Sequence, residues 1–232
     1  MAILAAMQSA ALRVTGDRPT VFFGSTRKTE QELADLANEV AADIAKSHDW
    51  QALTSVRTMN GDGTTVLFNL PGDYDRMLVN TDIQDTTSWA WGYRHITDMN
   101  DFLYWQARDF QPSPGGWTIY GNAMHFVPAP PDGQNAVFPY ISRFYARDSG
   151  TQALKGAFDA DTDTFLLPER LLTLGLVWRW RENKGLPFDG DQEAFMKAIS
   201  EYAAKDRGSS VYRRRPRMTF PGTALAWPWE LG

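Results

Sequence analysis

The stretch that most restricts the fold is "STRKTEQELADLANEVAADIAKSHDW", residues 25–50. Leu33, Leu36, Ala37, Val40, Ala41 and Ile44 recur at steps of three and four. That spacing draws one apolar stripe along a helix whose outer face is rich in Asp and Glu. Such a helix does not stand alone; the stripe needs partners that take it out of water. Ser25 or Thr26 is expected to cap its start. Trp50, just past its end, is expected to fold back on the stripe.

Partners for the stripe are available at both ends of the chain. "MAILAAMQSAALRVTG" reads as a short helix stopped by Gly16. Its apolar run is too short and Ala-rich to span a bilayer, and it lacks the basic start of a signal peptide. "LLPERLLTLGLVWRWRENKG" places Pro168 for a first helical turn and Gly185 for a stop, with Arg179, Arg181 and Lys184 in the last turns, where the helix dipole favours cations. Leu167, Leu171, Leu174 and Trp178 make one stripe, while Leu172, Leu176, Val177 and Trp180 spread apolar surface over other faces. A helix greasy on several faces is expected to be buried by several neighbours. A final helix, "DGDQEAFMKAISEYAAKDR", has Asp189 as cap and a stripe of Phe195, Ile199, Tyr202 and Ala203.

Between these helices the texture is different. "LTSVRTM-NGDG-TTVLFNLP" reads as a hairpin, and "WTIY-GN-AMHFVP" as a second one with a Gly-Asn turn. "TDMNDFLYWQAR" reads as a short inserted helix whose apolar side is Met99, Phe102, Leu103 and Tyr104. "AVFPYISRFYAR" is a long strand, and Pro139 inside it favours a sheet edge or a bulge. The expected class is α+β. Residues 1–51 and 165–207 form a helical bundle, residues 52–148 a β-rich insertion, and residues 208–232 an extended C-terminal docking tail.

That tail, "GSSVYRRRPRMTFPGTALAWPWELG", is too rich in proline for a helix and too apolar for a solubility tag. The whole chain carries a net charge of −5, but residues 208–232 hold four Arg and one Glu, so their +3 leaves −8 in residues 1–207. The total gives no general affinity for nucleic acid or anionic membrane. An acidic body with a basic tail can pair with copies of itself or with an acidic partner. Apolar and charged fractions of 43% and 22% are those of an ordinary globular protein, and the lack of cysteine excludes disulfides and thiolate metal sites.

Signals for catalysis are weak. His48, His95 and His125 form no metal-binding pattern. "GSTRKT" lacks the spacing of a phosphate loop, and no nucleophile elbow is present. Asp73 and Asp75, or Asp159, Asp161 and Asp163, are the carboxylates that a glycosidase could pair. The last three also have the spacing of a calcium loop, but Thr164 and Arg170 stand where its Gly and closing Glu belong. A turn before a helix is the better reading. "WAWGYRH", residues 89–95, could stack on sugars or bases through Trp89 and Trp91; core packing or a subunit contact is the blander alternative.

The order of these features resembles the bacteriophage head-to-tail adaptor family, which includes tail tubular protein A of T7-like phages and the P22-type head-completion protein. The resemblance rests on "LANEVAADIAKSHDWQAL", "LPGDYDRM", "FVPAPPDGQNAVFPYISR" and above all "FDADTDTFLLPERLLTLGLVWRWRENKGL". It implies a non-enzymatic virion protein, made in the host cytoplasm, with no metal or other cofactor. It implies a homo-oligomeric ring, usually of twelve copies, between the portal protein and a tail or nozzle protein. Genomic DNA would pass through the ring without sequence-specific binding and without a membrane anchor. It also implies that the C-terminal tail docks on the portal or a neighbouring subunit. Tyr212, Phe220, Trp227 and Trp229 would be the buried anchors, and Arg213, Arg214, Arg215 and Arg217 would pair with carboxylates. An acidic channel wall would not hold DNA in passage, and Asp35, Glu39 and Asp43 are candidates to line it. The alternative is a cell-wall glycoside hydrolase or a carbohydrate-binding tail component.

Overall fold

A computed structural model describes residues 2–78, 81–85, 92–108 and 115–206. Within them the fold is mixed α+β, with five α-helices and several small sheets. The helices are α1 (Leu4–Val14), α2 (Lys28–Ser47), α3 (Met99–Gln106), α4 (Glu169–Asn183) and α5 (Asp189–Asp206). The strands are β1 (Thr54–Asn60), β2 (Leu67–Asn69), β3 (Tyr74–Met77), β4 (Arg94–His95), β5 (Gly116–Tyr120), β6 (Ala123–Val127), β7 (Asn135–Ser142), β8 (Ala146–Arg147), β9 (Leu154–Lys155) and β10 (Thr164–Phe165). Among the described residues no helix is long and apolar enough to cross a membrane.

The stripe of α2 is buried along its length, from Leu33 to Ala45. It packs on α4, which also packs on α1 and α5. The multi-faced apolar character of α4 thus has its expected cause: Leu171, Leu172, Leu176, Val177 and Trp178 are all buried. Trp50 folds back as expected, with its indole Nε1 donating to the Ile44 carbonyl at 2.7 Å. Gly185 ends α4 with φ +65°, and Leu186 N donates to Arg181 O at 2.9 Å while Gly185 N donates to Glu182 O at 3.0 Å. These two bonds close a Schellman motif, which needs the left-handed conformation that glycine adopts at little cost.

The start of α2 departs from expectation. The helix begins at Lys28 and Arg27 stands at its N-cap position without a side-chain cap bond. Ser25 instead donates to the Glu30 carboxylate and accepts from Arg27 N. Asp189 is inside the first turn of α5, and Pro168 stands before the first turn of α4.

The β region has its own core of Met59, Ile83, Tyr93, Trp117, Met124, Phe126, Phe138 and Tyr140. The β5–β6 hairpin forms as expected, with Gly121 and Asn122 at φ +58° and +60°. The first expected hairpin does not form. β1 pairs with β7 over seven residues, and β2 pairs with β6. Asp62 accepts from the backbone of Thr64 and Thr65 and turns the chain away from β1, while Gly61 N continues the β1–β7 ladder by donating to Gln134 O. Pro139 is likewise not on an edge, because the order β1-β7-β3 makes β7 central. Its missing N–H faces the side on which Val137 exchanges both bonds with Gln84. There it falls between that bridge and the end of the β3 pairing at Tyr140. A central strand tolerates proline where its partner ladder has a gap.

The helix contact depends on one small residue. A Cβ on Gly175 would lie 2.3 Å from Val40 Cγ1 on α2 and 3.1 Å from the Phe195 ring on α5. Alanine is the better helix former by about 1 kcal/mol. Gly175→Ala should nevertheless destabilise the protein by about 1–3 kcal/mol through overpacking. Urea unfolding followed by circular dichroism would measure the sign.

Candidate functional site

The turn that precedes α4 holds the most deeply buried carboxylate among the described residues. Asp163 is fully buried. Its Oδ2 accepts from the backbone N of Asp159 at 2.9 Å and of Ala160 at 3.1 Å, and meets Lys155 Nζ at 2.8 Å. Lys155 also pairs with Asp159 and lies 3.7 Å from Asp148. The carboxylates of Asp148, Asp159 and Asp163 are close enough together to suggest a cation site, but the Lys155 ammonium occupies their centre. Asp161 points elsewhere and accepts from Phe22 N at 3.1 Å and Phe23 N at 3.2 Å. The Asp159–Asp161–Asp163 spacing is therefore a turn held by an internal cation and by backbone donors.

Burial pushes the Asp163 carboxyl up, but the bond from Lys155 and the two backbone donors outweigh it and hold the group below the usual carboxylate range. Burial pushes Lys155 down, and its bonds to Asp159 and Asp163 outweigh that, so the amine is held above its ordinary value.

The glycosidase carboxylates are engaged in structural contacts. Asp73 accepts from the Tyr140 hydroxyl at 3.0 Å, and Asp75 pairs with Arg76, which also binds Asp49. The histidines do not meet. His48 stands edge-on to Trp50, His95 stacks on Trp117 at 4.3 Å, and His125 stacks on Tyr120 at 3.7 Å. Trp89 and Trp91 lie outside the described residues. On α2, Glu39 and Asp43 converge on Arg179 of α4, and Glu32 on Lys184. Two of the three candidate wall acids thus carry charge that is partly met within the chain.

All the expected docking residues, Tyr212, Arg213, Arg214, Arg215, Arg217, Phe220, Trp227 and Trp229, lie outside the described residues. The structure does place the point from which that segment departs. Asp206, the last residue of α5, accepts from Gln51 N at 2.8 Å and lies 4.0 Å from His48 Nε2. A groove of ≈ 450 Å³ there is lined by Trp50, Leu166, Pro168, Tyr202 and Lys205. A second cleft of ≈ 460 Å³ runs between the last turn of α2 and the corner after β7. Sequence reasoning missed this cleft, because its walls come from residues 42–46, 75, 142–145 and 156 and no local pattern joins them.

Lys155→Met would leave three carboxylates around an apolar side chain. We expect a loss of about 3–5 kcal/mol at neutral pH. The depressed Asp163 value gives the wild type stability that is present above the unfolded carboxylate pKa of ~3.9 and is lost as the pH falls below it. The difference between wild type and variant should therefore narrow near pH 3, measured by denaturant unfolding at both pH values.

Comparison with known proteins places these features in one family. No curated protein matches the chain. The family model described as SU10 adaptor protein matches residues 1–224. That span takes in the helical core, the β region, the Lys155-centred turn and the arginine run. The chain belongs to the SU10 adaptor protein family, a phage adaptor family.

Proposed function

We infer that the protein is a structural component of the virion neck that joins the portal to the tail as a homo-oligomeric ring, twelve copies being the expected number, and continues the channel through which the genome passes. The same proposal includes the finer likeness to tail tubular protein A of T7-like phages and the P22-type head-completion protein. The observation that carries it is the family match across residues 1–224. In this reading residues 1–51 and 165–207 are a helical body, residues 52–148 an insertion, and residues 208–232 the docking segment.

The chemistry of the docking segment supports the division. Ordering an extended segment costs on the order of 1 kcal/mol per residue. Tyr212, Phe220, Trp227 and Trp229 each bring roughly 150–250 Å² of surface, worth about 4–6 kcal/mol when buried. Pro216, Pro221 and Pro228 stiffen the free chain and lower the entropy lost. Arg213, Arg214, Arg215 and Arg217 suit bidentate pairing with carboxylates of the portal or of a neighbouring subunit. Repetition around a ring multiplies the contacts.

A chain lacking residues 208–232 should keep its circular dichroism and its cooperative melt, because the described core is complete without them. It should fail to co-sediment with portal-containing heads. Undiminished attachment would refute the docking role.

A further inference from the structure

The cleft between α2 and the corner after β7 has a distinct chemical character. Ala42 and Ala45 form one wall and the half-buried Phe144 another, with Lys46 and Arg143 at the rim. The one acid that lines it, Asp75, is already paired with Arg76. Among the described residues neither Lys46 nor Arg143 has a carboxylate partner, so a body with net charge −8 carries a local cationic rim here. Small walls, an aromatic floor and two cations suit an aromatic side chain followed by an acid.

Residues 208–232 contain one acid, Glu230, and it stands directly between Trp229 and Leu231. We propose that the Trp229–Leu231 segment of one copy docks in the α2–β7 cleft of a second copy, with Trp229 against Ala42, Ala45 and Phe144 and with Glu230 paired to Lys46 and Arg143. This rests on the adaptor reading and extends it. The arginine run is left for an acidic partner, and the tip of the same segment joins neighbouring copies. These three residues lie beyond the span matched to the family.

The length of the segment puts a second copy within reach. The segment departs at Asp206, which touches Gln51 and His48, a few residues past the α2 turn that lines the cleft. Trp229 comes 23 positions after Asp206. If fully extended at about 3.1 Å per residue, that separation would reach up to roughly 70 Å. That reach is enough to bring Trp229 to the equivalent cleft on another molecule.

The chain has no cysteine, so two full-length versions can each carry a single one. Ala42→Cys in one tagged copy and Leu231→Cys in a differently tagged copy should form a mixed disulfide on mild oxidation. Adding Lys46→Glu and Arg143→Glu to the first copy should lower its yield about tenfold, and Glu230→Lys in the second should restore much of it. The idea is overturned if no mixed product forms, or if its yield ignores the charge changes. It is also overturned if a copy with both cysteines closes on itself while separate copies do not pair. Head co-sedimentation, run in parallel on the Lys46→Glu/Arg143→Glu chain, separates the two readings. Attachment retained without cross-linking removes the cleft contact and leaves the adaptor role standing.

Discussion

The turn from Phe158 to Phe165 is the knot through which the rest of the structure is tied. It brings backbone groups of a non-repetitive segment into the interior, where an unmet donor or acceptor costs about 1–3 kcal/mol. Some are met within the turn itself and others by distant parts of the chain. Asn38 of α2 accepts from Phe158 N at 2.7 Å and donates to Phe158 O at 3.1 Å. Asp161 takes the amides of Phe22 and Phe23. Asp163 receives Asp159 N, Ala160 N and the Lys155 ammonium, and its carbonyl accepts from Ile3 N at 2.8 Å. One turn therefore fixes the start of α1, the loop before α2, the middle of α2, strand β9 and the entry to α4.

Burying the Asp163 carboxylate is tolerable only because of these partners. A carboxylate away from water needs both a counter-charge and hydrogen bonds. The cation that answers it is an amine of the same chain, which explains how a cluster of three aspartates can be structural. The rings of Tyr145, Phe158 and Phe165 pack edge-on to one another at the same turn. Burial there also pushes the Tyr145 hydroxyl up to about 12.

The outer face of α2 shows a related economy of charge. Glu32, Glu39 and Asp43 meet Lys184 and Arg179 across the α2–α4 contact. Exposed pairs of this kind contribute about 0–1 kcal/mol each, so they set the register of two helices more than they hold them together. The adaptor's acidic balance is thus partly spent inside the molecule. Of the apolar side expected for α3, Met99, Leu103 and Tyr104 are exposed and Phe102 is the one residue that is buried.

Local pattern was enough to determine that the helices exist, though not how α2 and α5 begin, and it determined the stop at Gly185, the return of Trp50 and the Gly121–Asn122 turn. Each of these is decided within a few residues by side-chain periodicity or by a required φ. The same local logic failed for β1, which forms no hairpin with β2, and for Pro139, which sits in a central strand. Strand partners are chosen over long separations, and a missing donor is harmless or costly according to which neighbour faces it. The α2–β7 cleft was illegible for the same reason. The α+β class, the Asp-rich turn and the amphipathic stripe belong to the sequence by itself. The tertiary structure alone decided that Lys155 fills the acidic turn and that Lys46 and Arg143 face a common space, because only packing brings distant charges within each other's field.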